Sequence, residues 1–97
     1  MNKTILQENK MAREFTILNK LGVHARPAAM FVKIANRFPC DILVEKDGEE
    51  VNGKSIMGLM MLAAGCGSRI RVTVQGNSAQ EALNEIEKLI LSKFDED

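Results

Sequence analysis

The sequence predicts a two-layer α+β fold, an open-faced sandwich in which a four-stranded antiparallel sheet carries three helices on one face, in the order β-α-β-β-α-β-α. Two observations lead there. The hydrophobic period switches repeatedly between two and about 3.6 residues, which separates strands from helices. Each strand is apolar on alternate residues only and each helix has a single apolar stripe. Stacking the helices on one sheet face therefore buries every stripe and leaves the other face in water. A chain of 97 residues has room for one such domain.

Glu14-Phe15-Thr16-Ile17-Leu18 reads as the first strand, with Phe15 and Ile17 on one face. Asn19 to His24 is a loop, and Pro27 sets the first turn of a helix, where a missing N–H costs nothing. From Pro27 to about Arg37, residues Ala28, Phe31, Val32 and Ala35 share a face, and Phe38-Pro39 ends the helix. Two strands follow, around Asp41 to Lys46 and Glu49 to Asn52, joined by Asp47-Gly48, a dipeptide suited to a tight hairpin. Ser55 reads as the N-cap of a short second helix, which Gly65-Cys66-Gly67 stops. Arg69 to Gln75 is the clearest strand, alternating Ile70, Val72 and Val74 with Arg71, Thr73 and Gln75. Ser78-Ala79-Gln80-Glu81 has the form of a capping box, opening a helix in which Ala82, Leu83, Ile86, Leu89 and Ile90 recur at three and four. The domain is expected over residues 12–94, after a polar N-terminal extension, residues 1–11, and before a solvated acidic tail, residues 95–97.

Charge and composition exclude several function classes. Thirteen basic residues balance thirteen acidic ones, and there is no Trp or Tyr, so the chain has neither the basic footprint nor the stacking platform of a nucleic-acid binder. The uncharged run Ser55 to Ser68 is too short to insert in a membrane, which takes about 20 apolar residues. No apolar leader with a cleavage site opens the chain, so the expected location is the cytoplasm. Cys40 and Cys66 form no Cys-x-x-Cys unit and are expected to be reduced core or turn residues. A single histidine gives no di-histidine metal site, and no glycine-rich nucleotide loop is present. No metal and no cofactor are expected, which argues against a stand-alone enzyme.

What remains is His24-Ala25-Arg26-Pro27 at the mouth of the first helix. A helix N-terminus presents unsatisfied N–H groups and a partial positive charge, so Ala25, Pro27 and Ala28 mark a candidate anion site for a phosphoryl group. The same field favours neutral, nucleophilic imidazole at His24. Arg26 adds a permanently charged fork suited to phosphoryl oxygens. Taken without further context, His24 reads equally as a loop or capping histidine, Arg26 as a solvated surface residue and Ser55 as an ordinary N-cap. Gly22 reads as a loop residue with positive φ or as a point of close backbone approach to a partner.

The run Leu21-Gly22-Val23-His24-Ala25-Arg26-Pro27-Ala28-Ala29-Met30-Phe31-Val32 closely resembles the active-site signature of the HPr family, the histidine-containing phosphocarriers of the bacterial phosphoenolpyruvate-dependent sugar phosphotransferase system. A second stretch, Val51-Asn52-Gly53-Lys54-Ser55-Ile56-Met57-Gly58-Leu59-Met60, resembles that family's regulatory serine region. The resemblance extends over about Ala12 to Phe94 and implies the HPr-like fold. It also implies that His24 accepts phosphate from enzyme I on Nδ1 and passes it to EIIA domains, with Arg26 beside the phosphoryl group. Ser55 then matches the serine that HPr kinase/phosphorylase modifies. Ile56, Met57 and Met60 match a hydrophobic patch on which partner proteins, including a transcriptional regulator, dock. The short helix has more apolar surface than one buried face absorbs, so Leu59 and Leu62 are expected to point inward and Ile56, Met57 and Met60 outward, near His24.

The leading reading is thus a monomeric phosphohistidine relay protein for sugar uptake. Two alternatives differ in kind. One is a regulatory docking protein acting through the Ser55 helix, and the other a nitrogen-type phosphotransferase paralogue with the same chemistry but different partners.

Overall fold

The alternation in Arg69 to Gln75 becomes a strand with Ile70, Val72 and Val74 buried and Arg71 and Gln75 exposed. In the computed structural model, which describes residues 10–96, the chain runs β1 (Lys10–Thr16), α1 (Ala25–Ala35), β2 (Asp41–Lys46), β3 (Glu49–Asn52), α2 (Ile56–Met61), β4 (Arg69–Gln75) and α3 (Ala79–Leu91), closing with a short turn, Lys93–Asp95. The sheet is antiparallel throughout, in the order β1-β4-β2-β3. Phe15 faces Ile70, Val44 faces Val72 and Ile42 faces Val74, so the buried side chains of three strands fall in register on one face. Phe31, Leu59, Leu83 and Ile86 cover that face from the three helices, giving the two-layer open-faced sandwich. Arg71, Glu45 and Leu43 belong to the opposite face.

The hairpin forms as its sequence suggests. Asp47 and Gly48 both have positive φ, the geometry that matches strand twist in a two-residue turn. Cys40 is buried in the core and Cys66 exposed in the turn before β4, and both are free thiols. Burial pushes the Cys40 thiol up, as an apolar setting does to any group that ionises to an anion.

Several local expectations need correction. The first strand spans Lys10–Thr16 and not Glu14 to Leu18, because its extent is set by pairing with β4 from Lys10–Gln75 to Thr16–Arg69. Lys10 and Met11, expected in the extension, are strand residues, and residues 1–9 lie outside the described part of the chain. Helix α2 ends before the glycines: Leu62 is its C-cap and Ala63 already has φ of 51°. The capping box before α3 does not form. Ser78 takes a left-handed conformation, φ 65°, and its hydroxyl makes no capping bond, although its carbonyl still accepts from the Ala82 N–H at 2.9 Å. Finally, the acidic tail is not all solvated: Glu96 is tied back to the first loop.

Candidate functional site

The loop after β1 and the segment after α2 meet at the start of α1. Asn19 is buried and its Nδ2 donates to the Gly22 carbonyl at 2.7 Å, closing the loop after β1. Gly22 itself, φ 73°, lies against the segment after α2: a Cβ there would sit 2.6 Å from the Ala64 carbonyl oxygen. The close approach that this glycine permits is therefore internal, and the Val23 N–H donates to the same Ala64 oxygen at 2.9 Å. These contacts hold His24 in an extended conformation as the N-cap of α1.

His24 is half-exposed and its side chain makes no capping bond. Its carbonyl accepts from the Ala28 N–H at 2.9 Å, the first bond of the helix. That narrows the expected anion site at Ala25, Pro27 and Ala28. Proline has no N–H and that of Ala28 is engaged, so of the three only Ala25, joined by Arg26, keeps an N–H without a partner among the described residues. Pro27 and Ala28 are buried and anchor the helix start by packing. Ala25 and Arg26 are exposed, and among the described residues the Arg26 guanidinium makes no ion pair. A half-exposed histidine and the exposed residues Ala25 and Arg26 thus follow one another at the N-terminus of α1, an arrangement fit to hold a phosphoryl group on imidazole.

The other side of the imidazole carries a partner the sequence did not announce. His24 Nε2 lies 3.1 Å from Glu96 Oε2. Glu96 Oε1 in turn accepts from the Leu21 N–H and from Asn19 Nδ2, both at 3.3 Å. The hydrogen bond with His24 above all holds the Glu96 carboxyl below the usual carboxylate range, against a smaller opposing effect of burial. The usable signal was Phe94, which continues the spacing of Ile86 and Ile90 and so ties the tail to the core.

Ser55 caps α2 as expected, its Oγ accepting from the Gly58 N–H at 3.0 Å. Leu59 and Leu62 are buried while Ile56, Met57 and Met60 are exposed, Met57 at 74%. Met61, on the same helix, is exposed as well and enlarges the expected patch.

The chain is similar to known proteins over most of its length. Residues 11–92 match the family described as the PTS HPr component phosphorylation site. The phosphocarrier protein HPr of Pseudomonas aeruginosa is 51% identical over 86 residues, covering 88% of this chain and 96% of that protein. A crystal structure of HPr from Thermoanaerobacter tengcongensis superimposes with a TM-score of 0.86 at 44% identity, covering 90% of this chain and 98% of that one. The Bacillus subtilis catabolite repression protein Crh, crystallised as a swapped dimer, superimposes with a TM-score of 0.69 at 49% identity over 76% of this chain and 85% of that one.

Proposed function

The chain belongs to the HPr family of phosphocarriers, and from that premise we propose that it relays a phosphoryl group from phospho-enzyme I to EIIA domains through His24. The observation that carries this reading is the position of His24 as a half-exposed N-cap, with the exposed residues Ala25 and Arg26 following it in the first turn of α1. The Nδ1 lone pair forms a bond to phosphorus as the donor's bond to phosphorus breaks. On transfer the N–P bond breaks and its electron pair returns to Nδ1. The amides and Arg26 neutralise the charge on the equatorial oxygens in both directions. The carrier supplies a nucleophile and an anion cradle, and its partners complete the two transition states.

Ser55 is proposed as a regulatory phosphorylation site for an HPr kinase/phosphorylase, and Ile56, Met57 and Met60 as the docking patch for partners and a transcriptional regulator. Their exposure on α2 supports this second role, since methionine surfaces adapt to several partners. The proposed working state is a monomer in the cytoplasm.

The relay is tested by following labelled phosphoryl from phosphoenolpyruvate through enzyme I to this chain and on to an EIIA domain. Label is expected to reach EIIA only when the chain is present, and not with the His24→Ala variant. Label reaching EIIA through that variant would refute the reading.

A further inference from the structure

We infer that Glu96 is a positioning residue for His24, accepting a hydrogen bond from Nε2–H and so leaving Nδ1 as the bare nucleophilic nitrogen. This rests on the reading of His24 as the carrier residue and adds to it a part played by the C-terminal tail. An ionised carboxylate can only accept hydrogen bonds, so across the 3.1 Å contact the proton belongs to His24 Nε2. A neutral imidazole has one ring proton. Its Nδ1 therefore keeps the lone pair, and the same bond fixes the rotation of the ring.

The carboxylate is held in place from several directions. Oε1 is gripped by the Leu21 N–H and by Asn19 Nδ2, and Asn19 is itself 1% exposed and bonded to the Gly22 carbonyl. One residue pair before it, Phe94 is 2% exposed and lines a small apolar space with Val23, Phe31, Leu59, Leu62 and Ala64. Lys93, Phe94 and Asp95 all have positive φ, a left-handed turn that reverses the chain after α3. The Asp95 N–H and Glu96 N–H donate at 2.9 Å to the carbonyls of Ser92 and Lys93, closing that turn. The tail is thus a strap: Phe94 anchors it in the core and Glu96 delivers a carboxylate to a histidine 72 positions earlier in the chain.

The bond suits both states of the carrier. When Nδ1 takes the phosphoryl group, the proton stays on Nε2 and the positive ring faces the Glu96 carboxylate. When the N–P bond breaks, its electron pair returns to Nδ1 and no proton has moved.

The test compares full-length wild type with Glu96→Ala and Glu96→Gln. Nitrogen NMR of the His24 ring, taken at about pH 8.5 so that unperturbed imidazole is neutral, reads the position and exchange of the ring proton. Wild type is expected to show one slowly exchanging proton on Nε2. Glu96→Ala is expected to show the averaged pattern of a free imidazole and to accept phosphoryl from enzyme I about tenfold more slowly, the loss typical when a histidine's orienting partner is removed. Glu96→Gln, whose amide oxygen still accepts, is expected to keep the wild-type nitrogen pattern and most of the rate. An alanine variant with the wild-type nitrogen pattern, or with the wild-type acceptance rate, would overturn the inference. A wild-type chain that takes up no phosphoryl group would instead refute the carrier reading, and the NMR comparison would still decide the role of Glu96.

Discussion

Arg26, two residues after His24 in the chain, and Glu96, in contact with its imidazole, differ in charge and in commitments. Arg26 is exposed and pairs with no acidic group among the described residues, whereas the Glu96 carboxylate already has three partners. An exposed, unpaired arginine contributes little to folding, so Arg26→Ala should leave the thermal midpoint unchanged. Phosphoryl acceptance should slow on the order of 10²-fold, the scale set by removing one donor to a charge that develops in the transition state. Parallel melting curves and stopped-flow transfer rates check both halves. The lowered Glu96 value makes a pH statement with a definite sign. A carboxyl held below its unfolded value stabilises the folded state at pH values above the unfolded one, and this is lost as pH falls through the folded value. The strap should therefore loosen only on the acid side of the ordinary carboxylate range. Carbon NMR of the Glu96 carboxyl should titrate below that range in the wild type and return towards it in His24→Ala.

At the scale of elements, what could be read from the sequence and what could not divide along physical lines. Strand β4 was legible because each apolar residue faces the core and each polar one does not. The Asp47-Gly48 hairpin was legible because its conformation is forced by residue type. The start of β1 was not, since Lys10-Met11-Ala12 has no strong alternation and is held in the sheet by backbone pairing with β4. The Ser78 box failed because its motif specifies side-chain donors and acceptors but not the left-handed backbone that the turn after Gly76 imposes. The site shows the same division. His24, Arg26 and Ser55 sit within local motifs, while the bond between Glu96 and His24 depends on where a turn beyond α3 aims the tail. Helix α2 offers a prediction at this scale. It has only six residues and one side-chain cap, so Ser55→Ala, which removes the bond to the Gly58 N–H, should cost about 1 kcal/mol and lower the melting temperature by about 5 °C. Calorimetry with and without the substitution measures it.

The whole molecule is a sheet covered on one side, with equal numbers of basic and acidic residues and no helix long and apolar enough to cross a membrane among the described residues. One exposed corner carries His24 and Arg26, and α2 carries Ile56, Met57, Met60 and Met61 on the surface. A carrier that must leave each partner after every transfer needs small interfaces, and one domain of this size supplies them without a second subunit. Light scattering at working concentration is therefore expected to give the monomer mass. A stable dimer of the kind found for Crh would contradict that.

Intact-mass spectrometry shows whether one labile phosphoryl group resides on His24. The chain is incubated with phosphoenolpyruvate and enzyme I from the same organism and weighed before and after brief acid treatment. The expected result is a gain of one phosphoryl group that acid removes and that never forms on His24→Ala. An acid-stable gain, or an equal gain on the alanine variant, would contradict it.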